Sequence, residues 1–195
     1  MPRLCIASLE SLTQYSQSGF FRTPKPDKMG HDEYEKTFWR EKAHVRDDGR
    51  LFIPPMAFKF AVTEAGRRLG RKIPGKGNAT YGKRLEGGFL CMDEIVLDLR
   101  AEDIQSVTIP ANANGRRGAG TRVFRTFPLI ESWAADVRFW LTDDIITETV
   151  FEDAVAEAGQ FVGIGRFRPE NGGYFGRWKV THFQWDADTA AQAAE

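Results

Sequence analysis

Two amphipathic helices, each set between strand-like runs, constrain the fold of this chain more than any other feature. From Phe151 to Val162, the residues Phe151, Ala154, Val155, Ala158 and Val162 recur at helical spacing and share one side of a helix. A second helix is predicted from about Pro55 to Lys72, burying Phe58, Val62, Ala65 and Leu69. Pro54 and Pro55 suit its start, because proline's fixed φ and missing N–H cost nothing in the first turn. Strands are predicted at Arg3 to Leu9, Phe89 to Leu99, Trp133 to Leu141 and Lys179 to Trp185. In the third of these, Ala135, Val137, Phe139 and Leu141 alternate with Asp136, Arg138 and Trp140, the period of a half-buried strand.

The order is therefore strand, helix, strand, strand, helix, strand. It predicts an α+β fold with a ferredoxin-like (RRM-like) βαββαβ core. Two segments lie outside that pattern, an N-terminal insertion at about 13–53 and a central one at about 99–132. The first holds a polar loop, a helix from His31 to Val45 and a short strand at Leu51 to Ile53. The second holds a strand at Gln105 to Ile109 and another at Thr121 to Ile130, predicted to pair with Trp133 to Leu141 across Glu131 and Ser132. Between them Ala111 to Gly120 (ANANGRRGAG) has almost nothing apolar to bury and reads as a mobile loop. With 195 residues, 42% of them apolar, one domain over 1–185 is expected, followed by a flexible Ala-rich tail at 186–195.

The chain carries 27 basic and 27 acidic residues, so only the distribution of charge is informative. From Ala65 to Leu85 there is no acid, yet Arg67, Arg68, Arg71, Lys72, Lys76, Lys83 and Arg84 fall there. From Ile104 to Ile130 there is again none, with Arg116, Arg117, Arg122 and Arg125. A neutral protein with a basic face is the expectation. Cys5 and Cys91 sit in apolar runs and read as small core residues in a reducing compartment. No apolar run approaches the roughly 20 residues of a membrane span, and Met1 to Glu10 lacks a signal-peptide pattern. A soluble, cytoplasmic protein with no membrane partner is expected.

Familiar catalytic signatures are missing. GNATYGKR, Gly77 to Arg84, approaches the phosphate-binding loop GxxxxGK[ST] but has arginine in place of the magnesium-binding hydroxyl, and it follows a helix. Gly163-Ile164-Gly165 lacks the third glycine of a dinucleotide fingerprint. His31, His44 and His182 are too scattered to suggest a metal site, and no cofactor is implied. His31 or His44, supported by Tyr34, could act as a general acid in RNA cleavage; a solvated helix face is the plainer account.

Near the C-terminus, FVGIGRFRPENGGYFGRW joins a helix to a strand with far more residues than the join needs. Its glycines imply backbone that bends through positive φ or approaches another molecule closely. Backbone N–H groups beside Arg166, Arg168 and Arg177 would seat a phosphate chain, and Phe167, Tyr174, Phe175 and Trp178 would stack bases. An ordinary glycine loop whose aromatics return to the core is equally compatible with these residues.

The GIGRFRPENGGYFGRW pattern, after an amphipathic helix and before a final strand, resembles the glycine-rich loop of the RAMP superfamily, the repeat-associated proteins of CRISPR systems. Within it, the chain looks most like a minimal effector backbone subunit, and Thr121 to Val180 also looks like a group of phage and prophage proteins. The resemblance implies binding of single-stranded RNA or DNA, RNA ahead of DNA, with little sequence preference. It also implies a homo-oligomer in the form of a helical filament, with other effector-complex subunits as further partners. Gly163, Gly165, Gly172, Gly173, Gly176 and Arg177 fall on the family's loop, with Arg166, Phe167 and Arg168 inside it. The basic segments Lys76 to Arg84 and Asn112 to Arg125 correspond loosely to nucleotide-gripping hairpins. The chain is shorter than typical backbone subunits, and no aspartate matches the target-cleaving position that some of them have. A non-catalytic binder is the leading expectation, with a metal-independent endoribonuclease and a structural phage protein as alternatives.

Overall fold

The computed structural model describes residues 2–112 and 121–186. Arg116, Arg117 and most of the Ala111 to Gly120 loop therefore lie outside the described residues, as does the tail beyond 186. A mixed α+β architecture of antiparallel sheets emerges. The main sheet has four strands in the order β4(Phe89–Leu90), β8(Ala134–Leu141), β1(Arg3–Ser11), β9(Trp178–Asp186). Every neighbouring pair in it is antiparallel.

Helices α2(Pro55–Leu69) and α4(Glu148–Glu157) link the strands of this sheet and supply much of the core that covers it. Phe58, Val62 and Ala65 of α2 meet Phe151, Ala154 and Val155 of α4 in one apolar cluster with Cys5, Ala7, Leu9, Val137, Phe139 and Leu141. Edge-to-face contacts of Phe58 with Trp133 and Trp178, and of Phe89 with Phe139 and Phe151, fill its centre. α2 stops three residues before the predicted end, because Gly70 takes a left-handed conformation at φ 58° and closes the helix. α4 starts on Thr147, whose hydroxyl accepts the Val150 N–H. It then widens into a π turn over Ala158–Val162, where Gly159 lets Trp178 pass against the helix backbone.

The two inserted regions contribute strands to two smaller sheets. β2(Tyr15–Ser16), β7(Arg122–Ile130) and β6(Gln105–Asn112) form one, while β3(Arg50–Ile53) and β5(Ile95–Arg100) form another. Two expectations need correction. β7 and β8 do not pair with each other: the chain crosses between sheets at Glu131–Trp133, where Trp133 is buried and Ser11 bonds it through both its N–H and its hydroxyl. The strand expected from Phe89 to Leu99 is broken, because Leu90 pairs with Trp140 whereas Ile95 pairs with Ile53 of β3. Asp93, in the break, pairs with Arg138 at 2.9 Å. The helix predicted from His31 to Val45 is α1(His31–Phe38) followed by a 3-10 turn over Trp39–Lys42. Among the described residues no helix is long and apolar enough to cross a membrane.

Both cysteines are buried and free. Burial, reinforced by Glu152 and Glu148 at Cys5 and by Asp93 at Cys91, pushes each thiol up to about 12. Burial raises the Tyr15 phenol as well. These groups stay protonated in the folded state at pH values where the unfolded chain ionises them, so their stabilising effect is complete below about pH 8.5 and lost above it. Lys59 opposes them: burial lowers its amine to about 8, which favours the folded state as pH rises above that value. The Lys42 amine, also lowered by burial, works in the same direction as Lys59, but the two thiols shift furthest across this range, so the urea midpoint should fall between about pH 8.5 and pH 10.5. A midpoint that holds or rises would contradict the sealing of the thiols.

Candidate functional site

The glycine-rich stretch closes on itself and on the N-terminal insertion. Ile164 N donates to the Gly176 carbonyl at 3.0 Å, Phe175 N to Phe167 O at 3.0 Å and Gly173 N to Arg168 O at 3.1 Å. Arg166 N reaches Ser16 O at 2.9 Å, Gly176 N reaches Gln14 O at 2.7 Å and Arg177 N reaches the Thr13 hydroxyl at 3.0 Å. Two glycines are dictated by this closure. A Cβ at Gly165, where φ is 72°, would run into the Ser16 carbonyl and the Tyr15 ring, and one at Gly176 would run into the Ile164 carbonyl.

This corrects the expectation of a backbone cradle for phosphate. The amides of Gly163, Gly172, Gly173 and Gly176 bond to the carbonyls of Ala158, Pro169, Arg168 and Gln14. The glycines serve the chain's own close packing. Of the aromatics expected to stack bases, Trp178 and Phe175 are buried in the fold. Phe167 packs edge-on against Phe127 and Phe175. Only Tyr174, 64% exposed, faces solvent.

The arginines of the stretch diverge. Arg168 pairs with Glu170 at 2.6 Å, and Arg177 donates to the Gln160 carbonyl. Arg166 instead turns toward β7, where its guanidinium lies 4.8 Å from the centre of the Phe127 ring. There it meets Arg125 of β7 and two residues that the sequence reading passed over, Glu35 and Lys42. Both belong to the first insertion, and both are almost fully buried, at 2% and 3% exposure. Lys42 bonds to Glu35 and to the Thr126 carbonyl at 2.8 Å, and its ammonium sits 4.2 Å from the Phe127 ring centre. Glu35 also accepts the Thr126 N–H at 3.2 Å, and Arg125 Nε stands 3.9 Å from it. Burial lowers the Lys42 pKa against the support of Glu35, and Arg125 and Arg166 lower it further. Arg166 is lowered too, by burial and then by Arg125. Three cations thus surround one carboxylate beside an aromatic ring. Opposite charges seven residues apart in a mixed-charge helical segment look like a solvated face in sequence, which is why this pair was missed.

The other basic segment goes elsewhere. Arg71 pairs with Asp153 of α4 at 2.5 Å, and Arg84 with Asp143, beyond β8, at 3.2 Å. Lys72 donates to Asn78, while Lys76 and Lys83 are exposed on the α2–α3 side, α3 being Gly82–Gly87. The acidic helix side therefore neutralises part of the predicted basic face. Arg122 is exposed at the start of β7, opposite Asn112. Between α2 and the glycine-rich stretch runs a cavity of about 400 Å³, in which Lys59, Arg67 and Arg168 are matched by Glu64, Glu86 and Glu170. It has no surplus charge.

His31 and His44 stand apart in character. His31 is exposed at the start of α1, whereas His44 packs on Phe52 at 5.6 Å and burial lowers its pKa. Tyr34, expected to assist them, is buried with its hydroxyl bonded to the Thr23 carbonyl. Among the described residues no group of three or more His, Cys, Asp or Glu could hold a metal ion.

No protein-family model and no curated protein matches the sequence. Solved structures do resemble it in fold. One is a chain of the complex solved by cryo-EM as Type III-B Cmr-beta bound to cognate target RNA, with a TM-score of 0.50 and 10% identity over 94% of this chain and 60% of that one. The present chain thus spans about 60% of the length of that neighbour. Another is Cmr6 from Pyrococcus furiosus, with a TM-score of 0.48 and 12% identity over 92% of this chain and 99% of that one. At such identities the likeness is one of fold alone.

Proposed function

We propose that this chain is a RAMP-type protein with a ferredoxin-like core that binds single-stranded nucleic acid, RNA ahead of DNA, with little sequence preference. The core strands lie in the order second, third, first, fourth, all antiparallel, as two interleaved βαβ units require. The fold likeness to a chain of an RNA-bound complex supports the same reading. The observation that carries it is the meeting of Arg125 and Arg166, from two distant basic segments, with Arg122 exposed further along the same strand. Head-to-tail contacts between copies along the strand, and contacts with other effector subunits, complete the proposal.

Cationic side chains that neutralise phosphates release counterions, so affinity should fall steeply with salt. The native protein, purified at low salt, should carry nucleic acid that raises its 260 to 280 nm absorbance ratio. For a single-stranded RNA of mixed sequence, an Arg122→Ala/Arg125→Ala/Arg166→Ala variant should bind more weakly, with the log–log salt slope flattened by roughly 0.7 per lost phosphate contact. An unchanged slope in a folded variant would place the strand elsewhere. Failure of the unaltered protein to bind any single strand would end the proposal.

A further inference from the structure

We infer that a second copy of this chain docks through Phe20, whose ring enters the cavity between α2 and the glycine-rich stretch of its neighbour. This gives the head-to-tail contact of the proposed function its two surfaces, and it rests on that reading only for the existence of such a contact.

The cavity comes first. Its volume of about 400 Å³ exceeds the roughly 150 Å³ that holds a benzene ring in a protein interior. Every charged side chain that lines it already has a partner in its own chain. Lys59 donates to the Leu85 and Phe89 carbonyls at 3.1 and 2.9 Å. Arg67 pairs with Glu64 and Glu86 at 3.3 and 3.0 Å, and Arg168 pairs with Glu170. A polar ligand would have to break one of these bonds to be held. An apolar entrant breaks none, and it meets Met56, Phe60, Val162 and Ile164. Met56 and Phe60, one turn apart on α2, are 49% and 65% exposed, an apolar lip that the fold leaves uncovered.

Phe20 is the most exposed large apolar side chain among the described residues, at 95%. Its loop is pinned on both sides. Gly19 N donates to the Lys42 carbonyl at 2.8 Å, and a Cβ at Gly19 would come within 2.9 Å of that oxygen. Phe21 packs on Tyr34 at 4.7 Å, and the Arg22 and Thr23 N–H groups both donate to the Glu41 carboxylate. A ring held out on a fixed loop loses little freedom on docking, so its burial is translated into affinity. Charge fits as well. The Phe20 loop carries Arg22, Lys25 and Lys28 against Asp27. On the α2–α3 lip of the cavity a single Arg67 serves two carboxylates, since the Lys59 ammonium is bonded to backbone carbonyls. Knob and cavity are different surfaces, so the contact repeats from copy to copy and, unless its rotation closes, grows into an open helix.

Sedimentation of the full chain, stripped of nucleic acid, should show association that extends with concentration. Phe20→Ser and Phe60→Glu each change an exposed side chain outside the core, and each should weaken association by about tenfold or more. Mixed together, the two variants should form a one-to-one dimer and nothing larger, because one keeps its knob and the other its cavity. An unaltered protein that stays monomeric, alone and on single-stranded RNA, overturns the contact. Association indifferent to Phe20→Ser also overturns it and leaves the cavity to another occupant, and so does a mixture that yields no dimer. Knob-dependent association in a protein that binds no single strand upholds the contact and overturns the nucleic-acid reading; strand binding by a protein that never associates does the reverse.

Discussion

Gly176→Ala should destabilise the protein by about 3–5 kcal/mol, combining a left-handed backbone with a steric clash. The residue holds φ at 72°, and its missing Cβ is where the Ile164 carbonyl lies. Making room would pull apart the Ile164–Gly176 and Gly176–Gln14 hydrogen bonds that tie the glycine-rich stretch to the first insertion. For a domain of this size the melting temperature should drop by roughly 10 °C. Gly77→Ala supplies the comparison. It also has positive φ, at 60°, but nothing lies within 4 Å of its added Cβ. Its loss should be about 1–2 kcal/mol, the conformational part alone. Equal losses for the two variants, read from urea midpoints, would show that the close approach at Gly176 contributes nothing.

Glu35→Ala should lower stability by a similar amount, about 3–5 kcal/mol, because it leaves Lys42 charged and buried without its partner. Arg125 and Arg166 add repulsion, and the Thr126 N–H loses its acceptor. Glu35→Gln should fall between, since the amide oxygen can still accept from Thr126 while the ion pair is gone. Replacing both members, as Glu35→Leu with Lys42→Met, should recover most of the loss, because the desolvation of two charges disappears with them. A double-mutant cycle from denaturant unfolding measures the coupling. A loss below about 1 kcal/mol for Glu35→Ala would mean that water reaches Lys42 and that the pair behaves as a surface ion pair.

Much of the architecture was legible in the residues. The spacing of Phe58, Val62 and Ala65, and of Phe151, Ala154 and Val155, announces two helices with one buried face each, and all six side chains are buried together. The alternation of Val137, Phe139 and Leu141 likewise sets which face of β8 turns inward. Strand partners were less legible. Ile130 and Trp133 both sit in the core, and nothing local distinguishes a hairpin between their strands from a crossing between two sheets. The break after Leu90 was equally hidden, since apolar residues continue on both sides of it.

The candidate site was half legible. Arg125 and Arg166 could be named from acid-poor segments, but so could Arg71 and Arg84, which are neutralised by Asp153 and Asp143. Glycines read as a phosphate cradle turned out to let the chain fold against itself, because positive φ and a missing Cβ serve either purpose. Burial follows from short-range patterns, since each helix or strand must hide one face, and those patterns are written locally along the chain. Charge has no such period. Whether a cation ends beside a carboxylate or beside other cations depends on segments that meet only after folding, as Lys42, Arg125 and Arg166 do around Phe127.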